Sequence, residues 1–447
     1  MPPREVAAAG PSPVSRPLTG WGGGPAAHAW VVRPTDADQL TAALRRARPP
    51  GAIARGLGRS YGDAARLSGG LVLDATGLRG WTLAADAGQV TAAAGETIAG
   101  LLRALAPRGW LLPVVPGTQH VTVGGAIASD IHGKNHPSAG SFGRHVTALG
   151  LLRSDGEVLE LRPDDARFHA TVGGMGLTGA ILWATIALRP IDGTALAVEV
   201  ARAGDLDGAL DALCSCEAEY RVAWLDLLGT TPGRGVVTRA RHVAGDETRV
   251  PRRTRFDVPA VGGRGLLAPA VGRAYNALRF AAAPRRGRRR DFSGEMFPLD
   301  ALGAWPRLYG RHGLAQYQFV VPDGRERVLH EAIARVRRHR VPCYLAVLKR
   351  FGAGGRSPLS FPLPGFSLAM DLPRAAPGLA VLAGELDELV AAAGGRVYLT
   401  KDALLRPDAL RAMYPRLSEW QRTRAAMDPA GIWRSDLALR TGLLDAA

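Results

Sequence analysis

The sequence predicts an α+β fold. Three observations lead there: short apolar runs bounded by glycine and turn residues recur through the N-terminal part of the chain, apolar residues at helical spacing are confined to short segments, and a polar break between two apolar segments has the form of a hairpin turn. In order, residues 1–17 are rich in Ala and Pro and are expected to be disordered. Thr35-Asp-Ala-Asp38 reads as a capping box for a short helix with Leu40, Ala43 and Leu44 on one face, ended by Pro49-Pro50. Residues 52–54 form a strand entering a glycine loop, and 70–74 and 89–93 read as further strands. Ile98, Leu101, Leu102 and Leu105 recur at helical intervals until Pro107 stops them. Residues 149–161 fold back about Ser154-Asp-Gly156, 180–188 read as a strand, and 190–193 as a boundary. From 194 to 395 helical and strand patterns mix; within this part 231–290, rich in Gly, Pro and Arg, is expected to form mobile surface loops. The C-terminal segment reads as helical, with Leu417 and Trp420 near the start of its last stretch.

Composition bounds the function. With 447 residues, 47% hydrophobic and 21% charged, the chain is globular, which excludes disorder as its dominant state. No apolar run reaches the roughly 18 residues of a membrane span, and the N-terminus lacks the order of a secretory signal, so a cytoplasmic protein is expected. Three cysteines, Cys214, Cys216 and Cys343, match neither a disulfide framework nor a zinc site, and no metal is expected. The net charge of +16 points to an anionic partner. Only three of the 56 basic residues are lysines: Lys134, Lys349 and Lys401. In an arginine-biased chain these are informative, because an ammonium can shift its pKa and a guanidinium cannot.

Several motifs can carry chemistry. Arg55-Gly-Leu-Gly-Arg-Ser-Tyr-Gly-Asp63 follows a strand and packs its glycines so that backbone N–H groups can converge on a phosphate; an ordinary tight turn is the alternative. Residues 116–125 (PGTQHVTVGG) form a second such loop, and two together suit a diphosphate. Gly174-Met-Gly-Leu-Thr-Gly179 matches G-x-G-x-x-G but runs into a strand rather than a helix, which argues against a nicotinamide site. Asp130-Ile-His-Gly-Lys-Asn-His136 holds two imidazoles four apart, yet Gly133 and Pro137 oppose the helix a zinc pair needs. Polar contacts to a cofactor or substrate fit it better, with a satisfied structural histidine as the alternative. Gln316-Tyr-Gln318 enters an apolar strand, so both glutamines face one side. Lys349 and Lys401 sit at strand ends, either solvated or beside the same motifs as Lys134.

These residues resemble a known family. GLGRSYGD, PGTQHVTVGGAIASDIHGKNHPSAGSFG, ATVGGMGLTGAI, QYQFVVP, LSFPLPGFSLAMDLP and YLTKD occur in the order found in the decaprenylphosphoryl-β-D-ribose 2-oxidases, flavoproteins of the vanillyl-alcohol-oxidase type. The resemblance runs from about Leu18 to Leu444. It implies a two-part FAD-binding domain, 18–193 and 396–447, around an inserted substrate domain, 194–395, built on an antiparallel sheet. FAD would lie along Ala54, Arg55, Gly56, Leu57, Gly58, Arg59, Ser60, Tyr61, Gly62, Gly117, Thr122, Val123, Gly124, Gly125, Ser129, Asp130, Ile131, His132, Ile181 and Tyr398. Related sugar oxidases tether the flavin to a histidine in the first loop; here the loop reads Gly58-Arg59-Ser60, which implies noncovalent FAD.

The implied reaction oxidises C2 of a polyprenylphosphoryl ribofuranose to the 2-keto sugar, the first half of an epimerisation serving actinobacterial cell-wall arabinan. Lys401, His132 and Tyr61 are the implied catalytic residues, with the proton acceptor among them open. Gln316, Gln318, Lys349 and Lys134 would position the substrate, beside Ser367 and Ala369, which stand where the family has Asn and Cys. Met296 likewise replaces a family tyrosine. The implied partners are the lipid sugar and a short-chain nicotinamide-dependent reductase that completes the inversion. If the substrate is a polyprenyl phosphate, the Arg-rich 252–290 region would also bring the enzyme to an anionic membrane, with a solvated, composition-driven loop as the alternative. Membrane contact would make the protein peripheral to the plasma membrane, on the cytoplasmic or periplasmic face. Oxidation of another carbohydrate or alditol is the second reading. A non-catalytic nucleic-acid binder is the third, opposed by the absence of interleaved aromatics or a known reading module, so no nucleic acid is expected.

Overall fold

The computed structural model describes residues 11–215, 217–245, 256–260, 262–263, 265–284 and 287–444. The α+β expectation holds, with a large antiparallel sheet at its centre. Strands Ala27–Val32, Leu71–Asp74 and Ala52–Arg55 pair in parallel in a four-stranded sheet, and Val14–Leu18 closes its edge antiparallel to Ala27–Val32. That edge strand corrects the expected disorder of residues 1–17 from Val14 onward; its side chains are mostly exposed, and backbone pairing with a partner remote from its own pattern is what orders it. Residues 1–10 lie outside the described residues.

The helix after this edge is Ala37–Leu44, and its cap is Asp36 rather than Thr35: Asp36 accepts from the backbone N–H of Gln39. Five antiparallel strands follow as a second sheet, in the order Trp81–Ala84, Gln89–Ala93, Ala180–Ala187, Val146–Leu152, Val158–Leu161, and the last two are the anticipated hairpin. Ala180–Ala187 confirms that the G-x-G-x-x-G run leads into a strand.

The third sheet has eight strands, in the order Arg288–Asp291, Ala195–Ala203, Gly235–His242, Tyr220–Leu225, Leu345–Phe351, Gly365–Pro373, Leu314–Pro322, Arg396–Val397. Period-two alternation divides its faces. One face buries Ala223, Val237, Ala346, Leu348, Leu368 and Met370 in the main core, which also takes in the apolar sides of helices Leu206–Cys214, Arg327–Arg338 and Leu379–Ala392. The opposite face presents Val222, Trp224, Val236, Leu345, Val347, Lys349, Ser367, Ala369, Gln316 and Gln318 to a cavity. Strands Gly235–His242 and Phe256–Asp257, helix Pro269–Ala281 and the start of strand Arg288–Asp291 stand where loops were expected between 231 and 290. Residues 246–255, Val261, Arg264 and 285–286 of that stretch lie outside the described residues.

The chain's end returns to its beginning. Ala52 donates to Ile432 O and accepts from Arg434 N–H, and Asp436 binds Ser68 through both its carboxylate oxygens. Arg440 donates to both oxygens of Asp63 and to Asp402, clamping the end of the first glycine loop.

Candidate active site

Strand Ala52–Arg55 ends in the first glycine loop, and the Arg55 guanidinium holds that loop by donating to Ala65 O and Thr19 O, at 2.8 and 3.0 Å. Thr122 ends the second loop: its hydroxyl accepts from Gly125 N–H at the start of helix Val123–Ala128. The two loops touch at Gly56, where a β-carbon would lie 2.2 Å from Thr122 Oγ1. Asp300 anchors the second loop by accepting from Gln119 N–H at 2.8 Å.

Both loops line one cavity of about 1000 Å³ that runs from them across the open face of the eight-stranded sheet. That volume is at the upper end of small-molecule sites and is large enough for a cofactor with a substrate beside it. A β-carbon on Gly117 would meet nothing within 4 Å, so the backbone there is bare toward a ligand. The residues present therefore fit a dinucleotide cofactor.

Of the expected cofactor residues, 54–61, Gly117, Thr122, Gly124, Gly125, Ser129, Ile131, His132, Ile181 and Tyr398 line the cavity. Gly62, Val123 and Asp130 do not. Gly62 packs its Cα against the Asp402 carbonyl, Val123 is fully buried, and the Asp130 carboxylate accepts from Ser141, Ser360 and Gly143 N–H, bracing the turn from beneath. Spacing within a motif does not reveal which of its side chains turn inward.

All three lysines line the cavity, as do Gln316, Gln318, Ser367, Ala369 and Met296. Strand register gathers them: Gln318 pairs with Ala369, Ala369 with Val347, Val347 with Trp224, and Lys349 with Ser367. Gln318 donates to Ser367 Oγ at 3.1 Å and its amide meets His132 Nε2 at 3.0 Å. Burial, followed by the Lys349, His136 and Lys401 charges, holds the His132 imidazole well below its ordinary pKa, so it is neutral. His136 faces away from the cavity, pushed down to about 4 by burial and Lys349, with Nδ1 accepting from Gly352 N–H. Both imidazoles pack against Phe351, with ring centroids 4.7 and 4.6 Å from it, but only His132 lines the cavity.

Lys401 and Tyr61 meet because the first loop and the 398–402 turn share backbone bonds: Tyr61 N–H donates to Thr400 O at 3.0 Å. The Lys401 ammonium sits 4.0 Å over the Tyr61 ring. Burial lowers Lys401 to about 8, and Asp371 opposes that fall. Burial raises Asp371 to about 6, against the Gln316 hydrogen bond and Lys401. Lys349 is pushed down to about 7 by burial and by the other two lysines. Tyr61 is raised well above its usual value by burial and Asp371. Lys134 is engaged by Glu295, through both its backbone oxygen and its carboxylate.

Asp371, Glu295 and Asp300 were not foreseen. Asp371 acts on the site through Gln316, its register partner, which donates to it. Replacing it with Asn removes the charge that raises Lys401, so any rate that follows Lys401 ionisation should shift its limb below pH 8 in Asp371→Asn. A pH profile of flavin reduction with an unmoved limb would refute that coupling.

A family described as FAD binding domain matches residues 28–162. The chain is 38% identical to a decaprenylphosphoryl-beta-D-ribose oxidase of Mycolicibacterium smegmatis, over 96% of this chain and 97% of that protein. It is 40% identical to an uncharacterised Streptomyces coelicolor protein encoded in the mprA 5′ region, over 78% of this chain and all of that one. It is 28% identical to an alditol oxidase of Streptomyces, over 40% of this chain and 43% of that protein.

Proposed function

The chain belongs to the vanillyl-alcohol-oxidase type of FAD-dependent oxidoreductases acting on alcohols, and from that premise we propose that it oxidises the C2 hydroxyl of a polyprenylphosphoryl ribofuranose to the 2-keto sugar. The observation that carries this reading is the order of groups along one cavity: glycine loops at one end, a polar cluster of Lys401, Lys349, His132 and Gln318 in the middle, and Arg279, Arg288 and Arg290 beside apolar Val222, Trp224 and Leu278 at the other. A pyranose or furanose ring suits the polar middle, a phosphate the guanidinium groups, and a hydrocarbon the apolar wall.

When bound, FAD supplies the acceptor for the carbinol hydride. The proposed holders of FAD are the two loops with Ser129, Ile131, His132, Ile181 and Tyr398, in a domain comprising 18–193 and 396–447, with 194–395 as the substrate domain. Lys401 takes the hydroxyl proton. Its neutral amine is accessible near pH 8, whereas the Tyr61 hydroxyl holds its proton and His132 Nε2 is occupied by the Gln318 amide. Once protonated, Lys401 leaves a cation where the alkoxide charge developed. Gln316, Gln318 and Lys349 hold the sugar, and Lys134, tied to Glu295, shapes the wall beside it. A short-chain nicotinamide-dependent reductase would consume the keto sugar and complete inversion for arabinan synthesis.

Anaerobic addition of polyprenylphosphoryl ribose should bleach the flavin band at about 450 nm, and acid should release the FAD, since no histidine stands in the first loop. A flavin that stays oxidised with this substrate and bleaches with a free alditol would transfer the chain to the second reading. Ser367, Ala369 and Met296, all lining the cavity, are where such a change of substrate would be written.

Ala369 also sets inhibitor chemistry. During turnover with a sugar substrate, whose oxidation would supply the two electrons that convert an aromatic nitro group to a thiol-reactive nitroso group, Ala369→Cys should become covalently modified by the nitroaromatic inhibitors that attach to the family's cysteine, detected as a mass increase. The unaltered protein should not be modified at this position, and equal modification of both would refute the assignment.

A further inference from the structure

Helix Pro269–Ala281 is built inside out. Its one buried residue is Asn276, whose amide donates to Asp226 Oδ1 at 2.8 Å. Val271, Tyr275 and Leu278 are 61%, 60% and 68% exposed among the described residues, and their spacing of four and three places them on one stripe. The adjoining Leu266 is 58% exposed, and so is Phe256, at 59%, next to the cavity residue Asp257. Tyr275, Leu278, Arg279, Ala282 and Ala283 line the cavity as well, so this helix forms its rim. Isolated exposed apolar side chains are ordinary; a stripe of them bordering the mouth of a large cavity is not.

The charge of the same stretch decides what covers it. From 262 to 290 the sequence carries eight arginines and no Asp or Glu. Arg273 on the helix and Arg288 and Arg289 on the sheet's edge strand are exposed. A second copy of this chain would bring the same positive charge against itself, and a nucleic acid would leave the apolar stripe unmatched. Basic residues flanking a solvent-facing apolar stripe match an anionic lipid surface, where the stripe enters the acyl boundary and the guanidinium groups meet the head groups.

We propose that helix Pro269–Ala281, with Leu266 and Phe256, docks on an anionic bilayer, so that the cavity mouth it borders opens against lipid. The use of this surface, capture of the polyprenyl chain without passage through water, rests on the lipid-sugar reading; docking itself does not, and is measured without substrate.

The test is flotation of the FAD-loaded protein with vesicles of phosphatidylcholine containing about one third phosphatidylglycerol, beside vesicles of phosphatidylcholine alone. The protein should float with the anionic vesicles and far less with the neutral ones. Val271→Asp and Arg273→Glu, neither of which lines the cavity, should each weaken that binding about fivefold or more. FAD content and turnover of a water-soluble short-chain phosphoribosyl substrate should be unchanged. Failure of the unaltered protein to float, or equal flotation of both variants, overturns the proposal. A concentration-dependent dimer in light scattering that both variants abolish also overturns it, by giving the stripe to a second copy. Normal flotation with no flavin reduction by the lipid sugar would sink the substrate reading and leave the docking surface standing.

Discussion

Lys401→Met should retain FAD and fold normally while its rate of flavin reduction falls about 10²- to 10⁴-fold, the usual contribution of a positioned proton acceptor. The amine is held over the Tyr61 ring and lowered to about 8 by burial, with Asp371 holding it from falling further. Below that pH most of the population carries the proton and cannot accept another. In the unaltered protein kcat/KM should therefore rise with pH and level off above about 8, and the residual rate of Lys401→Met should lack this limb. Lys401→Arg should not rescue it, since a guanidinium keeps its proton at every accessible pH. Single-turnover absorbance across a pH series checks all three statements. An active Lys401→Arg protein, or a limb surviving in Lys401→Met, would remove the lysine from the proton path.

Gly56→Ala should cost about tenfold or more in FAD affinity, read as the flavin-to-protein absorbance ratio after dialysis. The new β-carbon would stand 2.2 Å from Thr122 Oγ1 and 3.2 Å from Thr122 Cβ and Cγ2, so the two loops must part. Thr122 cannot retreat cheaply because its hydroxyl also caps the helix that starts at Val123. Adding Thr122→Ala deletes the two outer atoms of the clash and should recover part of the loss, at the expense of the cap. Full FAD occupancy in the single variant would show that the contact between the loops does not shape the cofactor site.

The parts of this site that were legible in the sequence are the local ones. Glycine-rich loops signal themselves because a side chain is excluded at several positions, Gly58 by its positive φ and Gly56 and Gly62 by the close approach of Thr122 and Asp402, and three lysines stood out only against a background of arginine. Gln316 and Gln318 were placed on one face by alternation alone. Asp371 was hidden because its meeting with Gln316 depends on the register of Leu314–Pro322 against Gly365–Pro373, which no short window contains. Glu295 and Asp300 reach Lys134 and the second loop across more than 160 residues of chain. Helix Pro269–Ala281 was mistaken for loop because its apolar stripe faces out while an asparagine faces in, the reverse of the pattern by which helices are found. Val14–Leu18 was missed for a related reason: an exposed edge strand carries no buried alternation.

The clamp by which Arg440 grips Asp63 and Asp402 ties the first glycine loop to a residue 377 positions away in the chain. Both carboxylates outweigh burial at this guanidinium, which stays charged, so the loop's end is fastened by an ion pair that lies outside the cavity it helps to shape. A substitution at Arg440 would therefore leave two carboxylates facing each other beneath the loop and be felt as loosened cofactor retention, although the residue itself touches nothing that reacts.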